Sequence, residues 1–284
     1  MANDEMRRFW NETSGPEWVA LEPEFETALL PFGTELLRRA AASDGDHVLD
    51  VGCGFGSTTL ELARQVGGTG RVMGLDISAP MLQRARTRAA DLGLTTVIWR
   101  EADAQQAALP ASHFDLIVSR FGVMFFADPV AAFANLLHAA KGGARLVFAC
   151  WQPTDRNPWY TLPGRVLAGH VTLPDLPPPT VGPFAFGEPG RLESVLGDAG
   201  WSGVVIDGFE ATMVQGAGAG VDGALHHMLR GPVAAALRDA TAAERAAGLD
   251  ALRSALGAFL VGGAVQFPAA AWMVSARAPV TAGL

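Results

Sequence analysis

Cysteine is nearly absent. Cys53 and Cys150 are the two in 284 residues, and two isolated thiols make neither a disulfide framework nor a metal site. No metal is expected. Long apolar runs are missing as well: no stretch of about 18 uncharged apolar residues occurs, so no membrane span is expected. The segment Met1 to Asn11 is polar and charged, with no apolar signal segment after it, which makes a cytoplasmic protein the default expectation. Basic residues are outnumbered, 21 Lys and Arg against 29 Asp and Glu, for a net charge of −8. A field of that sign repels phosphate backbones, and no cluster of Lys and Arg offers a local exception. Nucleic acid is therefore not expected as a partner.

Apolar material is plentiful. Hydrophobic residues make up 49% of the chain and charged residues 18%, with a mean hydropathy of +0.21. That content supports a substantial core in one large α/β domain with appendages. Residues 1–44 read as a helical cap, with apolar faces that include Trp10, Trp18, Phe25 and Leu36, closed by Gly45. From His47 strands and helices alternate. Strands are expected at Val48–Val51, Arg71–Leu75, Val97–Arg100, Phe114–Ser119 and Arg145–Trp151. Helices are expected at Thr58–Val66, Pro80–Leu92 and Pro129–Ala140. This alternation predicts a doubly wound, mostly parallel sheet, with a core at 45–151. Beyond Trp151 the alternation fails. Residues 152–187 are proline-rich and include Pro177-Pro178-Pro179. A helix is expected at Glu188–Ala199 and a strand at Gly203–Met213. A glycine turn follows at Gly216–Gly220, then a largely helical, alanine-rich run over Asp222–Leu260 and a closing strand over Ala269–Ala276. Residues 152–284 thus complete the sheet and add cover insertions at about 152–187 and 215–265. The alanine-rich helices could equally support a homodimer or shape a lid.

Four segments carry the chemistry. In VLDVGCGFGSTTLELA, over Val48–Ala63, a buried strand runs into a glycine turn and then a helix. Gly52, Gly54 and Gly56 let the backbone take positive φ and approach a ligand closely. A dinucleotide fingerprint, G-x-G-x-x-G, would want glycine at position 57, where Ser57 stands. VMGLDISAPM, over Val72–Met81, ends its strand on Asp76, about 20 residues beyond the glycines. A carboxylate there can accept from both hydroxyls of a ribose. Arg100–Gln105 places Asp103 and Ala104 after the third strand, and Phe114–Phe126 delivers Ser119 and Arg120 at the end of the fourth.

These four pieces, in this order and spacing, resemble the class I (Rossmann-like) S-adenosylmethionine-dependent methyltransferases of the small-molecule type. The resemblance is specific over about residues 45–151 and looser beyond. It implies a seven-stranded sheet whose last strand is antiparallel and lies between the fifth and sixth. S-adenosylmethionine is the implied cofactor and S-adenosylhomocysteine its product. The glycine turn with Asp50 would hold the methionine part, Asp76 the ribose, Asp103 and Ala104 the adenine edge, and Ile77 with Met81 its face. Ser119 and Arg120, near the transfer site, would also bind the cofactor. The implied activity is methyl transfer to an O, N or C nucleophile of a small molecule, in specialised metabolism. A nicotinamide-dependent oxidoreductase and a cofactor-binding protein without transferase activity are the competing readings.

Methyl transfer to an O or C nucleophile of high pKa needs a base, whereas a neutral amine needs none. His226, His227 and Tyr160, in the cover segments, are the candidates. Adjacent histidines on a helix point about 100° apart, so one of the pair at most faces a pocket. Aromatic residues expected near the active face are Trp10, Trp18, Phe121, Phe125, Phe126, Trp159, Tyr160, Phe184 and Phe186, which together suit a planar or hydrophobic substrate.

Overall fold

Alternate residues along the central strands belong to two different cores. Leu49, Ile117, Leu146 and Phe148 pack on one face, with Phe133, Leu136, Leu192 and Leu196. Val48, Leu116, Val118 and Val147 pack on the other, with Leu36, Ala40, Leu62 and Ala63. Side chains along a strand alternate between faces, and a parallel sheet covered on both sides needs apolar residues at every position. That requirement explains the unbroken apolar strands of the sequence. The computed structural model describes residues 4–173 and 180–280; the Pro177-Pro178-Pro179 run lies outside them.

The strands are β1 (His47–Val51), β2 (Arg71–Asp76), β3 (Val97–Glu101), β4 (Phe114–Arg120), β5 (Ala140–Trp151), β6 (Ser202–Val214), β7 (Leu260–Val261) and β8 (Ala264–Arg277). The order across the sheet is β3-β2-β1-β4-β5-β8-β6. β8 is antiparallel to both neighbours, and the pairings from β3 to β5 are parallel. The expected architecture is therefore present, with the last strand inserted before the sixth. The two-residue β7 is an addition. It pairs with β8 through a hairpin at Gly262 and Gly263, whose φ values of 58° and 86° suit a two-residue turn.

The helices are α1 (Asp4–Arg8), α2 (Ser14–Ala20), α3 (Glu22–Ala40), α4 (Ser57–Gln65), α5 (Ala79–Asp91), α6 (Pro129–Ala139), α7 (Pro158–Leu167), α8 (Pro189–Asp198), α9 (Gly220–Met228), α10 (Gly231–Asp239) and α11 (Ala242–Gly257). Three expectations change. The N-terminal segment is not all cap, because α3 sends Leu36 and Ala40 into the sheet core beside α4. The stretch after Trp151 contains a real helix, α7, which begins on Pro158 with Asn157 before it. The alanine-rich run breaks into three helices, at Arg230 and at Ala240, both in extended conformation. Leu167 of α7, Leu225 of α9, Leu237 of α10 and Leu252 and Leu256 of α11 then share one cluster with Phe267 of β8. This cluster is the cover.

Candidate active site

Loops after parallel strands converge at the carboxyl end of the sheet, and a ligand crevice forms there. A cavity of about 880 Å³ opens at that end. Ligand sites run roughly from 300 to 1,000 Å³, so this one has room for a cofactor and a second molecule.

The glycine turn leaves β1 along the wall. Gly52 has φ 66°, and a Cβ on it would come 2.7 Å from Gly122 Cα. A Cβ on Gly122 would in turn meet the Val51 carbonyl at 2.7 Å. The loops after β1 and β4 thus touch backbone to backbone. Gly122 was not singled out in the sequence, although Gly after a buried strand was its signal. Gly52 and Gly54 line the cavity. Gly56 does not. It stands before α4 with φ 86°, where a Cβ would meet the Trp99 ring at 2.6 Å, so its work is packing.

Three acids face this wall. Asp50 is 1% exposed. Its Oδ2 accepts from Thr59 Oγ1 at 2.6 Å, while Oδ1 is buried without a partner. Burial pushes this carboxyl up to about 7, Asp76 adding to the rise and Thr59 and Arg120 opposing it. Asp76 Oδ2 accepts from the Gly54 amide at 2.7 Å and Oδ1 from the Ser78 amide at 2.8 Å. Each oxygen of a carboxylate has a second lone-pair site, so Asp76 both shapes the loop and keeps acceptor capacity toward the cavity that it lines. Burial raises its pKa, against those amides. Asp103 lines the cavity too, and its Oδ1 accepts from the Gln105 amide at 2.9 Å. Ile77, Met81 and Ala104 complete this end.

Residues from the fourth strand divide. Ser119 is fully buried, donates to the Val51 carbonyl at 2.7 Å and accepts from the Gly122 amide at 3.1 Å. It pins two loops together and does not reach the cavity. Arg120 does reach it, but its guanidinium donates to Glu26 of α3 at 3.0 Å. Glu26 was missed, since nothing in the order of elements brings α3 over β4. Burial raises the Glu26 carboxyl, and Arg120, Ser57 and Arg88 more than offset this, leaving it below its usual range.

The N-terminal segment clamps onto the same site. One π-helical turn, Phe9–Thr13, sets Asn11 against the loop after β2. Its amide donates to the Ile77 carbonyl at 2.9 Å and its carbonyl accepts from Ala79 N at 2.8 Å. Ser78 Oγ donates to the Trp10 carbonyl at 2.8 Å. π-turns mark functional sites often enough to be noted. Trp10 and Trp18 are thereby brought to the cavity, with Phe121, Phe125, Phe126, Trp159 and Tyr160. Phe121 has φ 64°, a strained conformation for a bulky residue, and stacks on Trp151 at 4.0 Å. Phe184 and Phe186 do not line the cavity. Phe184 packs behind Tyr160 at 4.6 Å, and Phe186 lies in the sheet core.

Of the two histidines, His227 faces inward and His226 is exposed, so His226 leaves the candidate set. His227 Nδ1 is 2.6 Å from Gln215 Oε1, and its Nε2 is buried without a partner. Burial, Arg230 and His226 push its pKa down to about 3. Tyr160 is partly exposed, and burial raises its hydroxyl. Among the described residues no group of three or more metal-ligating side chains occurs.

Residues 48–143 match a family model described as a methyltransferase domain. That segment, about a third of the chain, is similar to this family, and the chain shares the fold of solved methyltransferases. It is 35% identical over 137 residues to an aklanonic acid methyltransferase of Streptomyces sp. strain C5, covering 48% of this chain and 61% of that one. It is 31% identical over 184 residues to a nocamycin O-methyltransferase of Saccharothrix syringae, covering 60% and 64%. The chain thus spans under two thirds of the length of these relatives. A phosphoethanolamine N-methyltransferase of Haemonchus contortus, solved with S-adenosyl-L-methionine, shares the fold at a TM-score of 0.58, 15% identity and coverage of 96% and 60%.

Proposed function

We propose that the protein transfers the methyl group of S-adenosylmethionine to an O, N or C nucleophile of a small molecule and releases S-adenosylhomocysteine. One observation carries this reading: the Asp50 Oδ1, buried without a partner beside the glycine turn. A buried acceptor left unpaired costs about 1–3 kcal/mol, and the ammonium of the cofactor's methionine part, directly or through water, supplies what it lacks. Asp76 then accepts from the ribose hydroxyls with the lone pairs that Gly54 and Ser78 leave. Asp103 takes the adenine edge, and Ile77 and Met81 its face. Ser57 at the start of α4 removes the third glycine on which the nicotinamide reading depended.

When bound, the cofactor supplies a methyl group on a positively charged sulfonium. The chain's own contribution is position and exclusion of water. Trp10, Trp18, Phe121, Phe125, Trp159 and Tyr160 wall off the remaining volume and hold the acceptor. The names of the relatives, both tied to small molecules, support specialised metabolism as the setting. The net charge of −8 supports an acceptor that is not a nucleic acid. No described helix is long and apolar enough to cross a membrane.

Calorimetry with S-adenosylmethionine and NAD in parallel tests the cofactor, and labelled-methyl transfer into a cell extract tests the reaction. The protein should bind S-adenosylmethionine and not NAD. Asp76→Ala should lower that affinity at least tenfold, about 1.4 kcal/mol. Unchanged affinity in Asp76→Ala removes this residue from the site. Binding without any labelled product turns the protein into a cofactor binder that does not transfer.

A further inference from the structure

Two side chains that line the cavity away from the cofactor end each carry a buried atom without a partner: His227 Nε2 and Arg230 Nη1. Both side chains pack on one ring. His227 meets Phe25 edge to face at 4.9 Å between centroids, and the Arg230 guanidinium carbon lies 4.4 Å over the same ring. We infer that His227 and Arg230 form a subsite for a hydroxyl beside a carboxylate or carbonyl oxygen of the methyl acceptor, carried on an aromatic or apolar body. This names the acceptor class for the reaction proposed above and rests on that reading.

Donor and acceptor inventory decides the chemistry. Gln215 Oε1 can only accept, so the 2.6 Å contact puts the hydrogen on His227 Nδ1. The Gly216 amide, 3.5 Å away, is too distant to compete. Nε2 is left as a lone pair, and the buried ring beside a cation stays neutral. Arg230 has donors alone. Burial draws its pKa down to about 10, with Glu17 and Glu24 acting against burial, and it remains charged at neutral pH. Neither glutamate accepts from Arg230 Nη1, and Glu24 Oε2 is itself buried without a hydrogen-bond partner. The subsite therefore offers one lone pair and one cationic N–H, both packed on the Phe25 ring. An O–H next to an anionic or carbonyl oxygen satisfies both, and an ammonium would meet the guanidinium as a like charge. The surroundings call for a flat apolar body: Trp18 stacks on Phe25 at 3.6 Å, and Tyr160 and Met228 line the same space. Leaving a buried guanidinium N–H and imidazole nitrogen unpaired is costly, and a hydroxy acid that reaches both removes that cost.

The test is a paired titration of the full chain with S-adenosylhomocysteine present. Salicylate and 1-hydroxy-2-naphthoate are each compared by calorimetry with the corresponding primary amide, and with benzoate as an acid that lacks the hydroxyl, after cofactor affinity is measured in the same cell. At least one acid should bind tenfold or more tightly than its amide. That gap should vanish in Arg230→Met and return in part in Arg230→Lys, with circular dichroism confirming that both variants fold. His227→Phe should weaken the two hydroxy acids more than benzoate. Acids that bind no better than amides, or not at all, overturn the subsite, as does a preference that survives Arg230→Met. Loss of cofactor binding with the acid preference intact would instead strike the methyltransferase reading and leave the subsite standing.

Discussion

Buried at the end of β1, the Asp50 carboxyl accepts one hydrogen bond from Thr59 and leaves its second oxygen unpaired. Burial lifts its pKa to about 7, against roughly 4 in an unfolded chain. Between those values the folded protein holds a proton that the unfolded chain has lost. Stability of the cofactor-free protein therefore falls as pH rises through that window, by roughly 1 kcal/mol per pH unit from this group alone. Asp50→Asn cannot titrate, so its urea stability relative to the parent should improve steadily from pH 4.5 to 7.5; parallel curves would refute the assignment. Affinity for S-adenosylmethionine should rise over the same range, since the ammonium needs the carboxylate ionised. Residue types at strand ends made Asp50 and Asp76 legible in the sequence. What the sequence did not carry was the aim of each side chain. Ser119 and Arg120 are adjacent, yet one ties loops together and the other reaches the cavity. A difference of one position along a strand reverses the face.

Elements of the core follow local pattern, and those of the cover follow contacts between distant segments. The apolar runs at β1, β2 and β4 and the glycines after them are visible in sequence because their packing is two-sided and repetitive. α7 is different. It sits in proline-rich sequence, and Pro163 lies inside it. What holds it is Asn157, fully buried, whose amide donates to the Gln152 and Ala270 carbonyls at 3.1 and 3.0 Å. Its carbonyl oxygen accepts from Ala270 N at 3.1 Å and from the Trp159 indole at 2.9 Å. One side chain therefore joins the start of α7 to the middle of β8 and aims Trp159 at the cavity. Asn157→Ala leaves the Ala270 amide and the indole N–H without acceptors, which costs about 1–3 kcal/mol each. We expect a loss of roughly 2–4 kcal/mol in chemical denaturation, together with weaker binding of acceptor molecules and near-normal cofactor affinity. Equal losses at both sites would mean that α7 supports the whole sheet and not the cover alone.

The whole molecule joins two kinds of construction. A sheet packed on both faces holds its strand ends at constant spacing, and a separate cluster of α7, α9, α10 and α11 closes over them. The cavity lies between, walled by residues as far apart in sequence as Trp10 and Arg238. That is why its existence could be foreseen from topology, while partners such as Glu26 and Arg230 could not. Such a layout couples ligand binding to the stability of the entire chain, because the unfolded chain has no cavity to bind with. A ligand at one hundred times its Kd adds about 2.7 kcal/mol to the folded state. For a chain of this size each kcal/mol moves the melting temperature by about 2–4 °C, so saturating S-adenosylhomocysteine should raise it by roughly 5–10 °C. Trp10 and Trp18 line the cavity, so their emission should change in the same titration. NAD should produce neither effect, and Asp76→Ala should lose most of the shift at the same ligand concentration. A melt that ignores S-adenosylhomocysteine and responds to NAD would reverse the choice between the two cofactors while leaving the sheet order untouched.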